Sequence, residues 1–138
     1  MREIKFRGFW KDVKGNYLSA IGNLSIVDNK EHSGWFISNT YGSPFAYRVI
    51  PSTVGQFTGF KDKTGVEIYE DDIVTKHPEY YRNGEIIYDE WNASLRFKAD
   101  EDEDNLELTK YDCAKMEVIG NIHSNPELLN NTGEHIET

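Results

Sequence analysis

The chain has 138 residues, four histidines, one cysteine and a formal net charge of −9. This length fits one domain or two small β subdomains that bury about two thirds of the unfolded surface, so neither disulfides nor metal ions are needed for stability. Cys113 has no partner for an intramolecular disulfide, and no paired Cys or His residues have zinc-site spacing. Without an apolar leader or a membrane-length apolar run, we expect a cytoplasmic protein with no membrane association and a buried, unreactive Cys113.

Residues 1–57 predict an N-terminal β meander, because polar turn residues recur at short intervals between apolar stretches. Alternation along the first strand gives two faces, with Ile4, Phe6, Gly8 and Trp10 on one and Lys5, Arg7, Phe9 and Lys11 on the other. Because Arg2, Lys5, Arg7 and Lys11 precede or flank Phe9 and Trp10, one interpretation is a basic and aromatic strip that suits nucleic acid. A solvated basic face over a buried aromatic one explains the same pattern, and we favour it.

Residues 58–123 predict an SH3-like barrel. A polar turn ending at Gly65 precedes β-branched pairs on either side of an acidic corner, Glu70-Asp71-Asp72. Three short strands, a longer acidic loop and a closing strand at Met116 to Ile122 then complete the five strands that such a barrel requires. Residues 124–138 predict one short helix, with Asn125 as N-cap and Pro126 at the first helical position, followed by a polar tail.

The acidic clusters resemble chemical sites without meeting their requirements. Asp100 to Asp104 resemble the opening of a calcium loop, but Asn105 and Tyr111 stand where glycine and a bidentate glutamate are needed. The acidic corner has no histidine, lysine or nucleophile at informative spacing, so we interpret it as a bend with exposed carboxylates. We therefore predict no catalytic residues, no cofactor and no metal.

Four blocks of the chain resemble the YopX family of phage and prophage proteins: MREIKFRGFW, GFKDKTGVEIYEDDIV, GEIIYDEW and EVIGNIHSNPELL. The resemblance implies a mostly β protein with an SH3-like barrel, bacteriophage origin, a bacterial host cell and no established catalytic activity. The chain departs from the family pattern at Asp71, where glycine is usual. Aspartate enters the left-handed backbone region at modest cost, so the bend is still expected there.

Three aromatic residues predict contacts between molecules. Tyr80 and Tyr81 lie in a polar turn beside Pro78, where burial within a monomer is hard to arrange, and Trp91 begins the strand predicted after the turn at Asp89-Glu90. We therefore expect self-association through strand edges and these aromatics. The full set of candidate interface residues is Arg2, Lys5, Arg7, Phe9, Tyr80, Tyr81 and Trp91.

The charge is divided unevenly between the two halves. Residues 1–60 hold seven Lys or Arg against four Asp or Glu, giving +3, and residues 61–138 hold eight against twenty, giving −12. The acidic half disfavours general binding to phosphate backbones. We expect a noncatalytic, self-associating module that binds a host or phage protein; the alternative is a nucleic-acid-associated protein, or an acidic DNA mimic that occupies a host DNA-binding protein.

Overall fold

The computed structural model describes residues 3–38, 46–80, 82–99 and 105–130. The chain divides into two compact units, Met1–Phe57 and Thr58–Thr138, called here the N-terminal and C-terminal units. Strands dominate both units, which confirms the predicted mainly β class. The predicted acidic loop at Asp100 to Asp104 lies outside the described residues.

The N-terminal unit is the predicted meander. Its elements are β1 (Phe6–Lys11), β2 (Tyr17–Asp28), β3 (Ser33–Ser38), β4 (Ala46–Val49), a 3-10 turn (Pro51–Thr53) and the start of β5 (Gly55–Lys61). The first four strands form three consecutive antiparallel pairs, and Phe6 of β1 also lies opposite Gln56 of β5. β5 continues into the C-terminal unit.

A small apolar core lies between the strands of the meander. Ala20, Ile37 and Val49 are buried in it, and Trp10 packs against them. Gly8 on β1 allows this packing, because a Cβ there would lie 2.9 Å from the Cβ of Val49. The alternation predicted for β1 therefore gives one face that lines this core.

The C-terminal unit contains a five-stranded antiparallel sheet in the order β10-β9-β8-β7-β11. Its elements are β6 (Glu67–Tyr69), β7 (Asp72–Thr75), β8 (Gly84–Asp89), β9 (Ser94–Lys98), β10 (Asn105–Glu107), α1 (Lys110–Cys113), β11 (Glu117–Asn121) and α2 (Glu127–Asn130). The last strand returns to the first strand of this sheet, which is the order that an SH3-like barrel requires. Closure into a barrel stays a prediction.

Apolar residues from most of these elements form the second core. The buried members are Ile68, Val74, Ile86, Phe97, Ala99, Leu108, Cys113 and Met116. Gly84 lets Phe97 cross β8, because a Cβ at Gly84 would lie 2.3 Å from Cε2 of that ring. The prediction that Cys113 is buried is confirmed.

The C-terminal unit has one helix more than predicted. The single turn of α1 begins where Thr109 Oγ1 accepts a hydrogen bond from the N–H of Asp112, at 3.1 Å. Only α2 was expected, after Pro126. Among the described residues, neither helix has the length or apolarity to cross a membrane.

Candidate functional site

The cations of the predicted basic strip already have partners in their own unit. Lys5 Nζ lies 3.3 Å from Glu3 Oε1 and 5.0 Å from the ring centroid of Phe57, and the Lys5 side chain is 13% exposed. Arg7 Cζ lies 5.1 Å from the ring centroid of Phe9. Binding a phosphate to Lys5 or Arg7 would break their contacts with Glu3 and the aromatic rings. Arg2 lies outside the described residues.

Phe9 was predicted to lie on the accessible face of β1, but it is buried. Its side chain is 4% exposed, and its ring meets Tyr17 edge-on, with 6.3 Å between centroids. Its backbone N–H donates to Thr53 Oγ1 at 2.9 Å. The Phe9 ring therefore has no surface to offer a partner.

Tyr80 was expected to be exposed, and this expectation is wrong. Its ring stacks beside Phe97, with 6.3 Å between centroids, and packs against the second core. The polar turn folds back because His77 Nδ1 accepts hydrogen bonds from the N–H groups of Glu79 and Tyr80, at 3.0 and 3.3 Å. Tyr81 lies outside the described residues.

Trp91 is the one candidate that stands fully in solvent among those the structure describes, with 94% exposure. It lies in the turn between β8 and β9. Asp89 Oδ1 accepts from the N–H groups of Trp91 and Asn92 at 3.0 and 3.4 Å, and Asp89 Oδ2 accepts from Asn92 Nδ2 at 2.7 Å. Ala93 completes the turn at φ 52°. These bonds hold the backbone that carries the indole.

Two neighbours give this hairpin end its chemical character. Tyr88, opposite Leu95, is 48% exposed, and Glu90 is exposed. The hydrogen bond from the Asn92 side chain has the largest effect on the Asp89 carboxyl, and with those from the N–H groups of Trp91 and Asn92 it holds the pKa of Asp89 below its usual value. Tyr88, Glu90 and Trp91, two aromatic residues and one acid exposed at this end of the hairpin, are called here the Trp91 tip. Sequence reasoning missed Tyr88 and Glu90, although both stand within three residues of Trp91.

The acidic corner has a histidine partner that its sequence spacing concealed. His123 Nε2 lies 3.0 Å from Asp71 Oδ2, and the Ile122 N–H donates to the Asp71 carbonyl at 2.9 Å. Asp71 has φ 76°, so the left-handed bend expected there is confirmed. Asp72 is 1% exposed and accepts from the Tyr69 N–H at 2.8 Å. The expectation that all carboxylates of this corner are exposed is therefore wrong.

Glu85 is a further titratable residue beside Asp71 and His123. Burial, and then the charge of Asp71, raise the pKa of the Glu85 carboxyl, while Lys98 and His123 lower it. The arrangement is a histidine with carboxylates at the meeting point of β7, β8 and the end of β11. Within the described ranges, no group of three or more His, Cys, Asp or Glu side chains has metal-binding geometry.

A second histidine approaches a carboxylate next to the cysteine. His77 Nε2 lies 3.8 Å from Asp112 Oδ2, and the imidazole stacks on Phe97 with 4.6 Å between centroids. Burial lowers the pKa of His77, and burial with the charge of Asp112 raises the pKa of Cys113 to about 12. The thiol is therefore protonated and inaccessible, which is the opposite of an activated nucleophile.

Comparison with known proteins places this architecture in a family. The model of the YopX family, described as "YopX protein", matches residues 5–130. The crystal structure of protein EF1440 from Enterococcus faecalis is similar, with 27% identity and a TM-score of 0.50 over 94% of this chain and 99% of that one. No curated protein matches.

Proposed function

The chain belongs to the YopX family, and from this premise we propose that it is a noncatalytic protein of phage or prophage origin. In this proposal it works in the cytoplasm of a bacterial host, associates with itself and binds a host or phage protein. The observation that carries the proposal is the Trp91 tip, where an indole is 94% exposed on a hydrogen-bonded turn.

An exposed tryptophan is costly to leave in water and valuable in an interface. Tryptophan is enriched among the residues that dominate binding energy, because its large ring buries much area with few rotatable bonds. The Asp89 carboxylate already fixes the backbone of the turn. Less conformational entropy is therefore lost when a partner covers the ring.

The titratable groups support a noncatalytic role. Cys113 has a pKa of about 12 and a buried side chain, and its neighbour His77 uses Nδ1 to accept from two backbone N–H groups. Asp71 and His123 join two chain segments 52 residues apart. The hydrogen bonds of His77 and the contact between Asp71 and His123 are both explained by the folding of the C-terminal unit.

Sedimentation velocity from low to high micromolar concentration tests the proposal. We expect the wild-type protein to associate and Trp91→Ala to weaken that association by about 30-fold or more, as loss of a dominant interface side chain does. Tyr111→Ala is the matched control, since Tyr111 is an aromatic residue of the same unit that is 68% exposed. A wild-type protein that stays monomeric throughout, or equal effects of the two substitutions, would refute the proposal.

The charge of residues 61–138 favours a second candidate, an acidic mimic of DNA. This half carries −12, whereas Lys5 and Arg7 of the basic strip are occupied by an acidic neighbour or aromatic rings. The test is competition with double-stranded DNA for a purified basic nucleoid-associated protein at several salt concentrations. Displacement of the DNA that weakens with salt would support mimicry, and no displacement at low salt would exclude it.

A further inference from the structure

The N-terminal unit presents a half-exposed apolar surface at one end of its meander. Trp10 stacks on Tyr47, with centroids 5.8 Å apart and planes at 8°. Leu18 lies directly opposite Trp10 in the β1–β2 pair, so the two side chains share a face. Leu18 is 40% exposed and Tyr47 is 47% exposed. These three residues are called here the Trp10 patch.

A cationic residue lies in the turn beyond this patch. The next pair in the register, Lys11 and Tyr17, lies on the opposite face, where Lys11 Nζ is 5.0 Å from the ring centroid of Tyr17. The turn that follows carries Lys14, which is exposed, as is Val13 at its tip. Asp12, the one acid of this turn, uses Oδ1 to accept from the N–H groups of Lys14 and Asn16, at 2.8 and 2.9 Å. The turn beyond the Trp10 patch therefore offers an apolar side chain and one exposed cation.

Charge restricts how the Trp91 tip can meet another copy of the chain. Two tips related by a twofold axis would bring the Glu90 carboxylates together, on units that each carry −12, and this repulsion disfavours a symmetric contact. The N-terminal unit carries +3 and offers an apolar surface followed by a turn with the exposed Lys14. Complementary charge favours a contact between unlike surfaces.

We propose that the protein associates head to tail, with the Trp91 tip of one copy seated on the Trp10 patch of a second copy. This inference rests on the self-association proposed above and names its two surfaces. In this contact the indole covers Leu18 and Tyr47, and Glu90 faces Lys14. Because the two surfaces differ, a contact between two copies leaves the patch of one and the tip of the other free, so the assembly is a closed ring or an open filament.

A complementation experiment tests this arrangement. Trp91→Ala removes the donor and keeps the patch, whereas Leu18→Asp spoils the patch and keeps the donor. We expect each variant alone to be monomeric at a concentration where the wild type assembles, and an equimolar mixture to form a dimer that grows no further. Ile21→Asp is the matched control, since Ile21 is 42% exposed on the same strand and faces the other side. Circular dichroism confirms that each variant is folded.

The possible outcomes distinguish failure of the head-to-tail contact from failure of self-association itself. A monomeric wild type refutes self-association itself. If the wild type and Leu18→Asp both assemble, the head-to-tail contact is wrong, but self-association is still supported. The same conclusion holds if the wild type assembles and the two variants fail to pair when mixed.

A second measurement does not depend on the stability of the Leu18 variant. Glu90→Lys should weaken a contact with a basic surface by about 10-fold, and assembly of the wild type should weaken as salt rises. A contact between two like tips predicts the opposite in both cases, because the charges would then repel in the wild type. Stronger assembly of Glu90→Lys, or of the wild type in high salt, would therefore overturn the proposal.

Discussion

The two hairpin turns that begin Lys11-Asp12 and Lys61-Asp62 have the same local structure and different surroundings. Each follows the pattern Lys-Asp-x-x-Gly, with glycine at φ 86° and 91°. In each, the glycine N–H donates to the aspartate carbonyl at 3.0 Å, and Oδ1 of the aspartate accepts from backbone N–H groups two and four residues later. The local sequence thus determines the same turn twice.

The difference lies in the second carboxylate oxygen. Asp62 Oδ2 accepts from the N–H of Val118, 56 residues away, at 2.9 Å, and the Lys63 N–H donates to the carbonyl of Met116. Asp12 Oδ2 instead accepts from Asn16 Nδ2 of its own turn, at 3.4 Å, and from no other group in the described part of the chain. Asp62 is 6% exposed, whereas the hydrogen bonds of Asp12 are at the surface. The same turn is therefore a surface loop in one unit and a link to β11 in the other.

The largest expected effect comes from removing the two carboxylates. Asp62→Ala should lower the free energy of unfolding by about 3 kcal/mol, because three partly buried backbone N–H groups lose a charged acceptor. Asp12→Ala should cost far less, since water can replace its carboxylate. Urea denaturation measures both. Equal losses would show that the link to Val118 adds nothing to the turn.

A change of pH sharpens the same contrast. Burial alone would raise the pKa of Asp62, but hydrogen bonds from Val118, Val66 and Thr64 outweigh it and hold the pKa below its ordinary value. A lowered pKa stabilises the fold above the unfolded value and loses this contribution as pH falls through the folded value. Asp62→Asn should therefore be less stable than wild type at pH 7, by about 2 kcal/mol, and the gap should narrow below pH 4. A difference in stability between wild type and Asp62→Asn that does not change with pH would contradict a lowered pKa for Asp62.

The two glycines test what the turns share. Gly15→Ala and Gly65→Ala should each destabilise by about 1 kcal/mol, because both positions have positive φ and an added Cβ would meet no atom within 4 Å. The cost is thus purely one of backbone conformation, and it should be the same in both turns. Thermal denaturation of both variants measures this. Unequal costs would show that the surroundings also set the backbone strain.

The smallest effect is expected at Asp71, a third aspartate in a turn. Asp71→Gly relieves the positive φ of 76° but removes the contact with His123, so the two contributions oppose each other. We expect a net change within about 1 kcal/mol, with unchanged partner binding. Asp71→Asn is the control, because asparagine tolerates the same backbone region and keeps a hydrogen-bonding side chain. Lost binding at unchanged stability would return the acidic corner to the functional candidates.

Much of the fold could be predicted because it is coded locally. Alternation of apolar residues and recurrent turn residues predicted a mainly β chain, and Gly65 and Asp71 adopt the backbone conformations that their turns require. Four collinear blocks predicted the family, and its model matches residues 5–130. Helix α1 was missed, because four residues carry no period and the helix depends on a cap from Thr109.

The candidate site was less accessible to sequence reasoning because it depends on contacts between distant residues. His123 lies 52 positions from Asp71, so spacing could not join them. Tyr80 was expected in solvent, but its stacking beside Phe97 requires a turn that folds back over the sheet. Trp91 was predicted to begin the strand after the Asp89-Glu90 turn, but it lies in the turn itself, because Asp89 Oδ1 accepts from the N–H groups of Trp91 and Asn92.

The buried thiol of Cys113 gives this protein a native reporter. With a pKa of about 12 and no exposed surface, Cys113 is silent to alkylating reagents while the C-terminal unit is folded. Labelling therefore requires an opening of that unit, and its rate measures how often the second core comes apart. A cysteine introduced at a surface position could accept a fluorophore without removal of the native one. The same molecule would then report assembly through the dye and local unfolding through its own sulfur.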